Sequence, residues 1–230
     1  YYGVQCCLAI FEGRKSDIKR VFVSHDNEEV FDHVLSWAHR RNVPYRIVSD
    51  EELARVSSTE HHEGVCLEAR PLELLTPAAL VRKVSDLQRG VLLLLEGVEN
   101  PHNVGAILRT ACFFGVDGVL LQSKNITNLS GAACRIAEGA AEHLPIAFTQ
   151  DYGPTFAALK QRGFSFVATT PHQARSIYSV KWPNKFVLMF GTEGTGLSEA
   201  ALELADLRVV VPRVGPLESL NVSAAVSSIL

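Results

Sequence analysis

The chain has 230 residues, of which 47% are hydrophobic and 20% charged, with a net charge of −3. A chain this rich in aliphatic residues is not disordered, and its longest apolar run, Val91–Leu95, is far shorter than the roughly 20 residues of a membrane span. The length suits one large domain or two small ones.

In chain order, Val4–Phe11 reads as a helix, Arg20–Val23 as a strand and Glu28–Arg41 as a helix with Val30, Val34, Leu35 and Ala38 on its apolar side. Tyr45–Val48 is a second strand, Asp50–Ala54 a short helix with an acidic start, and Val65–Ala69 a third strand. Pro71 and Pro77 frame a connector running to about Asp86. From Gly90 onward strands and helices alternate. The strands are Val91–Glu96, Gly118–Leu121, Phe164–Ala168, Phe186–Phe190 and Leu207–Val211. The helices are Asn103–Phe114, Gly131–Ala141, Phe156–Gln161, Ser198–Leu204 and Leu220–Leu230. Continuous apolar strands separated by helices predict an α/β fold with a mostly parallel sheet covered on both faces.

Cys6, Cys7, Cys66, Cys112 and Cys134 form an odd set without a CxxC pair, in apolar or small surroundings. Buried free thiols in a reducing cytoplasm are the expectation. Tyr1-Tyr2-Gly3 lacks the charged and long apolar stretches of a secretory signal, so none is expected. No metal site is expected either, since adjacent residues such as His61 and His62 point to opposite faces of a strand. Residues 1–85 carry 11 basic and 13 acidic side chains, and residues 86–230 carry 11 and 12. Any surface for a polyanion must therefore be local, with Arg14-Lys15, Lys19-Arg20, Arg40-Arg41 and Arg82-Lys83 as candidates.

Three segments carry chemistry. Glu99–Ala111 follows an apolar strand and opens a helix, which puts its polar side chains at the C-terminal edge of a parallel sheet, where α/β proteins place ligands. Asn103 is a candidate N-cap there, and Arg109 stands among small and apolar neighbours, as a salt-bridge partner or an anion ligand. The second segment, Val187–Ser198, runs from a strand into a glycine-rich turn. Its spacing is GxxGxG, not the dinucleotide GxGxxG. The third, Val209–Val226, stops a strand at Pro212 and starts a helix near Ser219, an N-cap candidate, with small residues that let it approach a neighbour closely.

In this order, Asn103…Arg109, Glu193-Gly194 and Pro212…Ser219-Leu220-Asn221-Val222-Ser223 closely resemble the three motifs of the SpoU (TrmH) family of RNA ribose 2′-O-methyltransferases, over roughly Leu92 to Leu230. The leading part, with Gly3-Val4, Leu53 and His61-His62-Glu63-Gly64, is similar to the small substrate-binding domain often fused ahead of the methyltransferase, itself similar to kink-turn-binding ribosomal proteins. The resemblance implies an RNA substrate-binding domain over 1–70, a linker over 71–86 and a methyltransferase domain over 87–230 that ends in a trefoil knot. Two departures stand out: Arg213 where the family often has Met, and Ala137-Glu138-Gly139-Ala140 where many members have Ser-Ala-Gly-Ala. Both point to a substrate different from that of better-known members.

The resemblance also implies S-adenosyl-L-methionine as cofactor, S-adenosyl-L-homocysteine as product, no metal, and a ribosomal or transfer RNA as substrate. Arg109 would stand beside the reacting hydroxyl, as base or as electrostatic clamp. Ser219 and Asn221 would orient it or the ribose, Asn103 would fix its loop, and Glu193 would pair with Arg109 or Asn103. Thr169, Thr170, Pro171, Phe190, Gly191, Thr192, Gly194, Val211, Pro212, Leu220 and Asn221 would cradle the cofactor. Arg14, Lys15, Lys19 and Arg20 are the first candidates for RNA contacts, and a homodimer away from any membrane is the expected assembly. Two rivals remain open at this point: a catalytically silent RNA-binding or ribosome-assembly protein, and a nucleotide-dependent oxidoreductase using the Gly191–Gly196 loop.

Overall fold

The computed structural model describes residues 1–123 and 128–230. In chain order these form α1 (Val4–Arg14), β1 (Ile18–Ser24), α2 (Glu28–Arg40), β2 (Tyr45–Val48), α3 (Asp50–Ser57), β3 (Val65–Ala69), α4 (Pro77–Lys83), β4 (Gly90–Glu96), α5 (Pro101–Phe113) and β5 (Gly118–Gln122). Then come α6 (Gly131–Ile136), α7 (Ala140–His143), β6 (Ile146–Thr149), α8 (Gly153–Lys160), β7 (Ser165–Thr169), β8 (Arg175–Ser176), β9 (Lys185–Phe190), α9 (Glu199–Leu204), β10 (Leu207–Val210) and α10 (Val222–Ile229). The chain divides into two units, Tyr1–Leu72 with Leu129–His143, and Glu73–Asn128 with Leu144–Leu230. The packing thus joins Leu129–His143, which lies inside the expected 87–230 domain, to the N-terminal elements.

The first unit is built on a sheet of order β2-β1-β3, with β1 parallel to β2 and antiparallel to β3. Helix α2 buries Phe31, Val34 and Ala38, while Val30 is 47% exposed. The i, i+3, i+7 stripe therefore starts one residue later than the expected one, because the larger Phe31 fills the core. Such a ring contributes about 1.5–3 kcal/mol on burial. Thiols are core filler here: burial pushes Cys6 and Cys134 up to about 12 and Cys7 well above the ordinary thiol range. All five cysteines are free, and only Cys112 is partly exposed. The expected single helix over 131–141 is broken, since Glu138 and Gly139 take positive φ (45° and 86°). A Cβ on Gly139 would lie 2.8 Å from that of Ala9, so glycine allows both the turn and the approach to α1. Arg14 holds the rejoined segment, donating from Nε and Nη2 to the two oxygens of Glu142 at 2.8 and 3.0 Å. The two side chains are only 13% and 7% exposed.

The second unit has a seven-stranded sheet of order β6-β5-β4-β9-β7-β10-β8, parallel at every pairing. Leu92, Leu93, Leu94 and Leu95 are all buried, so both faces of β4 are covered. One face packs Leu92, Leu94, Val187 and Met189 against Leu80 of α4, Phe156 and Leu159 of α8 and Ala201 of α9. Helix α4 lies inside the expected linker; Pro77 opens it and Thr76 caps it, accepting from Ala79 N at 3.2 Å. Helices α5 and α10 pack on each other, with Thr110 Oγ1 3.4 Å from Ser227 Oγ.

Candidate active site

Because the sheet is parallel, β4, β7, β9 and β10 all end at the same edge, and every predicted loop of the C-terminal unit leaves from there. Thr169 ends β7 and its hydroxyl donates to Met189 O at 2.8 Å, while Thr170 N donates to Val209 O at 3.0 Å and Pro171 is exposed. These bonds tie the 169–171 loop to the ends of β9 and β10. Phe190 closes β9 in the core, and Gly191, Thr192 and Gly194 follow. Val211 and Pro212 follow β10, and Leu220 is exposed just before α10.

At Gly191 a Cβ would lie 2.0 Å from the backbone of Gly196, so the turn closes only with glycine there. Near Gly194 and Gly215, by contrast, nothing lies within 4 Å of a Cβ position, so the loop backbone faces open space. A cleft of about 290 Å³ lies beside the turn, lined by Glu96, Gly97, Thr192 and Thr195–Ser198.

The three motifs meet in a polar triangle. Glu193 Oε1 accepts from Asn103 Nδ2 at 3.0 Å, from Asn221 Nδ2 at 2.5 Å and from Val222 N at 3.3 Å. Asn221 Nδ2 also donates to Asn103 Oδ1 at 2.8 Å. Asn103 is buried in the first turn of α5 and does not cap it. Asn100 caps it instead, accepting from His102 N at 2.9 Å, because Pro101 suits the first helical position. The cap of α10 is likewise Asn221 and not Ser219, with Asn221 Oδ1 accepting from Ser223 N at 2.9 Å and Ala224 N at 3.4 Å. Ser219 is exposed two residues earlier. Arg109 is exposed on α5, about 9 Å along the axis from Asn103 at 1.5 Å per residue.

A second carboxylate braces the loop, one that none of the three sequence motifs marks. Glu96, at the end of β4, accepts from Ser198 N at 2.9 Å, Ser198 Oγ at 2.7 Å and Tyr152 Oη at 2.8 Å. Burial pushes the Tyr152 hydroxyl up, against the Ser198 hydrogen bond, which lowers it. The available signal was an acidic residue closing an apolar strand just before Gly97.

The four predicted RNA contacts lie in the first unit. Arg14 is held by Glu142, while Lys15, Lys19 and Arg20 are exposed. Among the described residues no cluster of His, Cys, Asp or Glu could hold a metal, and no helix is long and apolar enough to cross a membrane.

The sequence profile of the SpoU rRNA Methylase family matches residues 90–230, and that for RNA 2'-O ribose methyltransferase substrate binding matches residues 2–75. The chain is 33% identical over 229 residues to the uncharacterized tRNA/rRNA methyltransferase YfiF of Escherichia coli O157:H7, covering 100% of this chain and 66% of that relative. It is 28% identical to the 23S rRNA (guanosine-2'-O-)-methyltransferase RlmB of Pasteurella multocida, over 97% of this chain and 92% of that one. The SpoU methyltransferase AviRb of Streptomyces viridochromogenes, solved with AdoMet, has the same fold at a TM-score of 0.78 and 19% identity, over 99% of this chain and 86% of that structure. The chain thus spans just under two thirds of YfiF's length and nearly all of RlmB's. The profile covers well over half of the chain and takes in all three corners of the Asn103–Glu193–Asn221 triangle, and the chain belongs to the SpoU rRNA methylase family.

Proposed function

We propose that this chain methylates a ribose 2′-hydroxyl of structured RNA from S-adenosyl-L-methionine, with ribosomal RNA as the first substrate class and transfer RNA as the second. The observation that carries the reading is the Asn103–Glu193–Asn221 triangle, which locks the three family motifs together at the ligand-binding edge of a parallel sheet. The residues present fit the cofactor: three loops offer backbone groups, Gly194 faces open space, and exposed Leu220 offers an apolar surface to an adenine. Thr169–Pro171, Phe190–Gly194 and Val211–Asn221 would hold it. When bound, it supplies an electrophilic methyl group on sulfur and leaves as S-adenosyl-L-homocysteine.

The protein's part is alignment and charge. A guanidinium keeps its proton at any ordinary pH, so Arg109 acts as a clamp and not as a base. Its planar fork holds the phosphate beside the target ribose and stabilises the negative charge growing on the 2′-oxygen as the O–CH3 bond forms, the S–CH3 bond breaks and the hydroxyl proton passes to solvent water. Asn103, Glu193 and Asn221 fix the three loops that frame this point, with Ser219 toward the ribose. Residues 1–70, with Leu129–His143 packed onto them, form the RNA-binding domain; the connecting 71–86 carries α4 into the core of the second unit, and the rest of 87–230 is the methyltransferase domain, whose C-terminal segment is threaded as a trefoil knot. The enzyme works as a homodimer, without a metal. A cytoplasmic location is supported by its free, buried thiols.

Calorimetry with S-adenosyl-L-methionine and transfer of labelled methyl to RNA test the reading, and mapping 2′-O-methylation across total RNA with and without the protein identifies the nucleotide. Arg109→Ala and Arg109→Lys should both abolish transfer while cofactor affinity stays near wild type, since a point charge cannot replace the fork. A wild-type protein that binds RNA but neither binds the cofactor nor transfers methyl would establish the silent RNA-binding reading instead.

A further inference from the structure

The charges of the N-terminal unit are sorted along the strand direction. At one end of its sheet stand the start of β1, the start of β2, which is paired in parallel with Val21 opposite Tyr45, and the end of antiparallel β3. The C-terminus of α2 returns to the same end, where Pro44 O accepts from Val21 N at 3.0 Å. Lys19, Arg20, Arg40 and Arg41 are all exposed there. The opposite end carries Asp26, Glu28 and Glu29 after β1 and Asp50, Glu51 and Glu52 after β2. The two poles stay hidden in the net charge because they nearly cancel.

Two further features mark the basic pole. The β1–β3 register slips between Ile18 and Arg20, which face the consecutive residues Ala69 and Glu68. In a regular strand Lys19 and Arg20 would point to opposite faces; with the bulge both are exposed while Ile18 and Val21 stay buried. Bulges of this kind re-aim side chains. Tyr45 opens the edge strand between these cations, 39% exposed, with the His39 ring edge-on at 6.5 Å. Arg20 reaches Glu68 at 3.5 Å, but both side chains are at least half exposed, so the pair is weak and exchanges readily for a phosphate.

We infer that this pole is the RNA grip of the N-terminal unit, with phosphates on Lys19, Arg20, Arg40 and Arg41 and an unpaired base stacked on Tyr45. The inference rests on the reading that the chain acts on RNA, and it goes further by choosing the surface and a single-stranded element within the RNA. The opposed acidic pole turns the domain so that a polyanion meets this end first. An acidic protein would also satisfy the cations, but phosphates on cations beside a base stacked on an exposed aromatic are the general mode of single-strand binding, and the combination favours RNA.

The test is fluorescence anisotropy of a labelled RNA stem–loop against the full chain over a series of salt concentrations. Neutralising three cations in K19Q/R40Q/R41Q should reduce the slope of log affinity against log salt by about three. Tyr45→Ala should weaken binding about tenfold, and Tyr45→Phe should restore it. E29Q/E51Q at the other pole should not weaken binding, and calorimetric cofactor affinity should be unchanged in every variant. A wild-type slope in the triple variant, no loss in Tyr45→Ala, or no binding of the stem–loop by the wild type overturns the inference. So does competition by polyglutamate as effective as that by unlabelled RNA, which would make this a protein-binding face. Wild-type RNA binding without methyl transfer defeats only the proposed activity, and methyl transfer with unchanged binding in the variants defeats only this surface.

Discussion

Asn221 serves two purposes with one amide. Its oxygen caps α10 through Ser223 N and Ala224 N, and its nitrogen bridges Glu193 and Asn103. The two roles separate chemically. Asn221→Asp keeps the cap, since Asp and Asn cap equally well, but it turns the bridging donor into a second carboxylate against Glu193. The loss of a hydrogen bond to a charged group, discounted because Glu193 is exposed, predicts a cost of about 1 kcal/mol. Adding Glu193→Gln should recover most of it, because the Gln amide can donate to the new carboxylate. Urea unfolding of the two single variants and the double variant closes the cycle. If Asn221→Asp is as stable as wild type, the triangle is not a structural unit. Methyl transfer should fall in Asn221→Asp, because the loops lose their common anchor, and fall less in Glu193→Gln, whose amide oxygen still accepts from Asn103, Asn221 and Val222.

The glycine-rich turn between β9 and α9 is held at both ends, by Glu193 toward α10 and by Ser198 toward β4. Ser198 caps α9 through Ala201 N at 3.2 Å while its own N–H and hydroxyl donate to Glu96. Glu96→Gln would turn an amide NH₂ toward groups that are themselves donors, so the brace should loosen without disturbing β4. Amide exchange should quicken about tenfold over 192–198 and stay unchanged in 90–95, at a cost of about 1.4 kcal/mol; uniform exchange across both would show a global effect instead. This brace also shows where a sequence stops being informative. The apolar strands and the Gly191–Gly196 turn were legible because local spacing dictates them, and the triangle's members because their types and order form a motif. Glu96 was not, because its partners Tyr152 and Ser198 lie 56 and 102 residues away. The boundary errors have local causes: Pro101 moved the cap of α5 from Asn103 to Asn100, and the left-handed Glu138–Gly139 pair split α6 from α7. Strand β8, with two residues, is too short to leave a pattern, and β6 has only Ile146, Ala147 and Phe148 as its apolar run; both belong to the sheet only through their neighbours β10 and β5.

At the scale of the whole molecule, the proposed homodimer has a concrete surface to answer for. Helix α5 ends in Phe113 and Phe114, 83% and 52% exposed, with their rings edge-on at 5.2 Å. Neither ring has a place in a core cluster among the described residues, and two adjacent bare aromatics are a poor surface for a monomer. A twofold interface is self-complementary, so one patch near its axis meets its own copy and is covered in both chains at once. Each chain carries a net charge of −3, so attraction between whole chains cannot drive the pairing, and apolar burial must. Phe113→Ser with Phe114→Ser should therefore shift the protein toward monomer in light scattering at micromolar concentration. Thermal stability of each chain should hold, because rings this exposed add little to the core. Raising the salt should strengthen the wild-type dimer by screening its like charges, whereas an interface built on ion pairs would weaken. A wild-type particle that is monomeric at these concentrations and still transfers methyl to RNA would remove the dimer from the mechanism and leave the two rings without a role.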